Sequence, residues 1–133
     1  MPSAGYSGTP LPKKLGIKAG GVVGLVNPPA GFPDTLGPLP DGARLLTKPR
    51  GKRDLTMWFV RSVKELRSAL PGMVAAAGHG SVWIAWPKKT STLAADVSER
   101  EVRALGLAAG LVDYKICAID QDWSGLCFAR RPG

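Results

Sequence analysis

Histidine occurs once in this chain and cysteine twice, and both scarcities remove whole classes of chemistry. His79, set between Gly78 and Gly80, has no second histidine with which to share a metal ion. No nucleophile-elbow or thiol-oxidoreductase spacing accompanies it. Two thiols in 133 residues are no disulfide framework, so Cys117 and Cys127 are expected to stay reduced and to face one another across a hairpin. No apolar run approaches the roughly 20 residues that span a bilayer. The opening Met1-Pro2-Ser3-Ala4-Gly5 lacks the charged and apolar regions of a secretory signal, so a cytoplasmic protein with no membrane partner is expected. Acidic residues are scarce too. Ten Asp and Glu against 18 Lys and Arg leave a net charge of +8 and a pI near 9.9, a balance that suits an anionic partner.

What is present alternates between strand and helix signals. Thr9 is placed to cap a short helix with Pro10 at its first position, running through Lys13 and Lys14 to Gly16. Residues 1–19 form this N-terminal part, and residues 20–133 the body of a single domain. Val22-Val23-Gly24-Leu25-Val26 suits a strand buried on both faces. A proline-rich stretch with a short helix near Pro33–Leu36 leads to a second strand at Ala43–Thr47, and Leu55–Val60 reads as a third. Ser62 caps a helix carrying Val63, Leu66 and Leu70, which Pro71-Gly72 is expected to break or restart. Ser81–Trp86 is a fourth strand ended by Pro87, and Ser98 with Glu101 forms a capping box for the next helix. Val112–Ile119 and Trp123–Arg130 make an antiparallel hairpin. The pattern predicts a three-layer α/β sandwich, Rossmann-like, with a mostly parallel sheet and a C-terminal antiparallel hairpin.

Directly after the first strand, where a nucleotide-binding α/β domain carries a glycine-rich phosphate loop, the chain reads Asn27-Pro28-Pro29-Ala30-Gly31. Proline has no N–H and fixes φ, so Pro28 and Pro29 remove two donors from the turn. Pro87-Lys88-Lys89 follows a buried strand at the sheet edge where ligands of such folds bind. Asp120-Gln121-Asp122-Trp123-Ser124-Gly125 in the hairpin loop offers an indole beside carboxylates and a serine. Between Arg44 and Arg67 eight Lys and Arg face only Asp54 and Glu65. A solvated run of that kind supports weak, non-specific nucleic-acid binding at most, because aromatic interleaving is missing.

The order of elements over residues 20–130 resembles the class I methyltransferase layout. Asp54–Val60 matches the family's fourth strand, Ala77–Pro87 the fifth with its glycine turn, and the hairpin strands six and seven. In that family an acidic-x-Gly-x-Gly type loop and an acidic residue ending strand two hold S-adenosylmethionine. Here Asn27-Pro28-Pro29 and Thr47-Lys48 stand in those places, which argues against methyl transfer. Gly5-Tyr6-Ser7-Gly8-Thr9-Pro10-Leu11, Trp86–Lys89 and Lys115–Leu126 also resemble motifs of a family of small uncharacterised bacterial proteins. That resemblance implies that the N-terminal motif, Lys88, Lys89 and the Trp123-Ser124-Gly125 turn meet on one surface. The chain thus reads as a non-enzymatic binding or regulatory module needing neither cofactor nor metal. Its ligand is a small anion or an acidic protein surface, held by Lys13, Lys14, Lys88, Lys89 and Lys115 with Trp123 and Ser124. An enzyme using Asp113 or Asp120 with Lys115 and Ser124, and a non-specific nucleic-acid binder, are the alternatives. Oligomeric state is not readable.

Overall fold

The computed structural model describes residues 9–48 and 51–130. Ten elements follow in chain order: α1 Leu11–Lys14, β1 Val22–Val26, α2 Phe32–Leu36, β2 Arg44–Leu46, β3 Leu55–Phe59, α3 Val63–Ala77, β4 Ser81–Pro87, α4 Glu99–Ala108, β5 Leu111–Ala118 and β6 Trp123–Arg130. They build one six-stranded sheet in the order β2-β1-β3-β4-β6-β5. The first four strands are parallel, and β6 and β5 close the sheet antiparallel.

Alternation along the strands sorts the core into two layers. Leu25, Met57, Phe59, Trp83 and Cys127 pack under α1 and α2 through Leu15, Phe32 and Leu36. Trp58, Val60, Ile84, Trp86 and Phe128 pack under α3 and α4 through Leu66, Leu70 and Val102. All of β3 is buried, as a parallel strand covered on both faces should be. The Trp83 indole N–H donates to the Leu15 carbonyl at 2.8 Å and pins α1 to the sheet. Among the described residues no buried side-chain nitrogen or oxygen lacks a hydrogen-bond partner.

Three local expectations are corrected. Helix α1 is capped at Pro10 without a side-chain bond, with Pro12 in its first turn, so Thr9 is not its cap. Helix α3 runs through Pro71 without a break, because Leu66, Leu70 and Ala77 on either side of it are buried against the sheet. Cys117 pairs with Gly125 and Cys127 with Lys115, so the two free thiols do not oppose one another. A register shift at Tyr114 lies between those pairs and the first part of the ladder.

Candidate functional site

Chain order reverses between β1, which leads to β2 on one side, and β3 on the other, and ligands of open α/β sheets bind beyond the carboxyl ends at such a switch point. Here that crevice is tied shut. Asn27 follows β1 at φ 53°, the one described non-glycine residue with positive φ, a conformation that asparagine tolerates better than most. Arg61, one residue beyond Val60, sends Nη1 back to the Asn27 carbonyl at 2.9 Å. The Asn27 side-chain amide donates to Glu65 Oε2 at 3.0 Å, and Glu65 Oε1 accepts the Arg61 backbone N–H at 2.8 Å. The Arg61 guanidinium lies 5.1 Å over the Trp123 ring, which stands edge-on to Phe59, itself edge-on to Phe32. A sulfonium nucleoside fits this corner badly. Its positive charge would meet a fixed guanidinium, and it would find two prolines where it needs amide donors.

Farther along the same edge a groove of about 710 Å³ opens between α4 and the ends of β4, β5 and β6. Lys88, Lys89 and Ser124 line it with Ser98, Arg100 and Arg103. Its geometry is set by the loops below. Pro87 ends β4, and the Lys88 N–H donates to the Asp122 carbonyl at 2.8 Å. Asp120 Oδ1 accepts the N–H groups of Asp122 and Trp123, and Asp122 Oδ1 accepts the Ser91 hydroxyl at 2.8 Å. Both carboxylates therefore shape the turn. At the start of α4 the Ser98–Glu101 box forms, and the Ser98 hydroxyl bond holds the Glu101 carboxyl below its ordinary range. Glu99 and Asp113 both pair with Arg103. Among the described residues that leaves Lys88, Lys89 and Arg100 with no ion-pair partner, so the groove presents uncompensated positive charge.

Of the lysines singled out from the sequence, Lys88 and Lys89 line the α4 groove. Lys14, Lys115 and Lys88 come near enough to Cys117 that their charges draw its thiol downward, against a larger upward push from burial. Lys13 is exposed on α1. Trp123 is 2% exposed in the α1/α2 layer, while Ser124, one position on, faces the α4 groove. The indole is thus a core residue with a cation over its face. The basic run is split by β3: Lys52 and Arg53 lie before it, and Arg61, Lys64 and Arg67 beyond it. Residues 1–8 of the opening motif, and Arg50, lie outside the described residues. From the sequence Arg61 counted only as one of the basic run between Arg44 and Arg67, and Arg100 and Arg103 were passed over. Arg61 follows a buried strand as Lys88 does, and Arg100 and Arg103 recur at helical spacing beyond a capping box, so each carried a signal.

No protein-family model matches the chain, and no curated protein matches it in sequence. Solved structures match its fold. A SAM-dependent methyltransferase from Aquifex aeolicus superposes with a TM-score of 0.59, at 18% identity, over 87% of this chain and 85% of its own. An O-methyltransferase family 2 protein from Planctomyces limnophilus, solved with apigenin, gives 0.61 at 11% identity, over 85% of this chain and 50% of its own. Magnesium protoporphyrin IX methyltransferase from Synechocystis, solved with bound SAM, gives 0.56 at 12%, over 91% and 74%. In a second structure of that enzyme, with bound SAH, this chain spans 56% of the other's length. Identity at this level carries architecture and not activity. The chain is a mixed α/β domain whose six-stranded sheet has the Rossmann-like, class I methyltransferase-like architecture.

Proposed function

We propose that this protein is a non-catalytic binding or regulatory module for a small anion, built on a methyltransferase-like body. The observation that carries the reading is the groove beside α4, where Lys88, Lys89 and Arg100 stand without an ion pair among the described residues and Glu99, the one carboxylate in the lining, is paired to Arg103. Anions gain most where cations converge in a partly enclosed groove and the local acids are already paired. The knot of Arg61, Asn27 and Glu65 across the crevice supports the non-catalytic part of the reading, since it takes the place of a cofactor. Asp120 and Asp122, the nearest candidates for acid–base work, are held by turn amides and a serine hydroxyl, which supports it further.

Titration calorimetry with inorganic pyrophosphate tests the site directly. The wild-type chain should bind saturably, and a Lys88→Ala, Lys89→Ala variant should bind at least about tenfold more weakly, a loss of about 1.4 kcal/mol. Equal affinity in the two proteins would remove the groove from consideration.

A further inference from the structure

A second cavity, of about 480 Å³, opens at the opposite, amino edge of the sheet, under the connection from α1 to β1. Leu15, Ile17, Val23 and Leu55 give it an apolar wall, and Lys18, Asp54, Ser81, Tyr114 and Lys115 supply its polar groups. Glycines let the covering loop lie close. The Gly20 N–H donates to the Asp41 carbonyl at 2.8 Å with φ at 73°, and a Cβ on Gly21 would meet the Lys18 carbonyl oxygen at 2.9 Å.

The hydrogen-bond inventory of this cavity is one-sided. Ser81 Oγ and the Tyr114 hydroxyl oxygen are 3.1 Å apart and share one hydrogen bond. Two O–H groups with one bond between them leave one hydroxyl hydrogen over, whichever of the two donates. The Tyr114 oxygen also accepts from Cys127 Sγ at 3.2 Å, and among the described residues neither hydroxyl has a further acceptor. Lys18 and Lys115 have no ion-pair partner among the described residues. One Asp54 oxygen is engaged by the Val22 N–H at 2.8 Å, which leaves the other as the one open carboxylate oxygen in the lining.

We infer that this cavity binds a small organic acid. Lys18, Lys115 and the spare hydroxyl hydrogen of the Ser81–Tyr114 pair take its carboxylate or phosphate group, while its apolar body lies on Leu15, Ile17 and Leu55. The open Asp54 oxygen disfavours a second negative group and takes a hydroxyl or amine of the ligand. The volume is within the range of small-molecule sites and suits a single-ring compound.

The test is NMR titration of the full chain with 4-hydroxybenzoate, phenyl phosphate and the uncharged 4-hydroxybenzamide. The two acids should shift the amide signals of Gly20, Gly21, Ser81 and Lys115 saturably, with Kd below about 1 mM, and the neutral amide should bind at least about tenfold more weakly. Lys18 and Lys115 are exposed, so a Lys18→Ala, Lys115→Ala variant should fold and should lose about tenfold in affinity for both acids. In the Lys88→Ala, Lys89→Ala variant the Gly20, Gly21, Ser81 and Lys115 signals should titrate as in the wild type, which separates this cavity from the α4 groove. Equal binding of acid and amide, unchanged affinity in the Lys18/Lys115 variant, shifts confined to the α4 groove, or no saturable shift up to about 10 mM would each overturn the inference.

Discussion

Two residues deep in the molecule show how little room the core leaves. Gly106 lies in α4 directly above Phe128, whose ring is fully buried, and a Cβ there would come within 2.6 Å of the ring's Cζ and closer still to Cε2. Gly106→Ala gains helix propensity but forces the ring off its seat, and the clash is the larger effect. Thermal unfolding should report a net loss of about 1–3 kcal/mol. Cys127 makes a pH prediction. Burial is the largest cause that raises its thiol, from an ordinary 9.0 to about 11, with the Lys115 charge opposing. A pKa raised on folding means the native state favours the protonated thiol. Its contribution is therefore complete below pH 9 and is lost as pH rises through 11. Denaturant melts from pH 8 to 11 should show a decline that Cys127→Ala reduces, measured as the difference between the two proteins at each pH. A difference that does not change with pH would contradict this.

Among the elements, α3 offers the sharpest contrast between pattern and structure. Pro71 lacks the N–H that would reach the Arg67 carbonyl, and its ring crowds that turn, so local chemistry argues for a break. The helix continues because its apolar face carries Leu66, Leu70 and Ala77 into a layer with Trp58 and Phe128, a tertiary gain that no window of sequence contains. Pro71 is exposed, so Pro71→Ala should keep the packing and restore the bond. A stabilisation of about 2 kcal/mol is expected, the helix-interior penalty less the freedom regained by the unfolded chain. A destabilised variant would mean that the proline ring itself contributes to the packing of α3. Strands were easier to read. The mostly apolar run of β3 and the Ser62 and Ser98 caps are local signals and appear where expected. Lys88 and Lys89 were legible for the same reason, since they directly follow a strand. Arg61 follows a strand in the same way, but its tie to Asn27, 34 positions earlier in the chain, was not legible. Trp123 and Ser124 could not share a face, since neighbours on a strand point to opposite sides of the sheet, and the alternation rule alone places them apart.

At the scale of the whole molecule, the fold decides what a net charge of +8 can do. Read linearly, residues 44–67 concentrate eight basic side chains, enough to engage a polyanion along one stripe. Folded, β3 runs between them and sets Lys52 and Arg53 at the amino edge of the sheet, with Arg61, Lys64 and Arg67 at the carboxyl edge. Five residues of extended chain separate the two groups by about 17 Å. Arg61 is further committed to Asn27 and Trp123, and Arg53 to the Thr56 hydroxyl. A duplex laid on one edge therefore meets at most three of these five cations at once. Counterion release makes the slope of log affinity against log salt about −0.9 per phosphate neutralised, so the expected slope is about −3, against about −7 for all eight acting together. Fluorescence anisotropy with a labelled duplex at several salt concentrations measures it. A slope near −3 that Arg61→Ala, Lys64→Ala, Arg67→Ala lowers without abolishing fits two separate edges, whereas a slope near −7 that this variant abolishes would mean that the basic side chains of residues 44–67 act as one surface despite β3 between them.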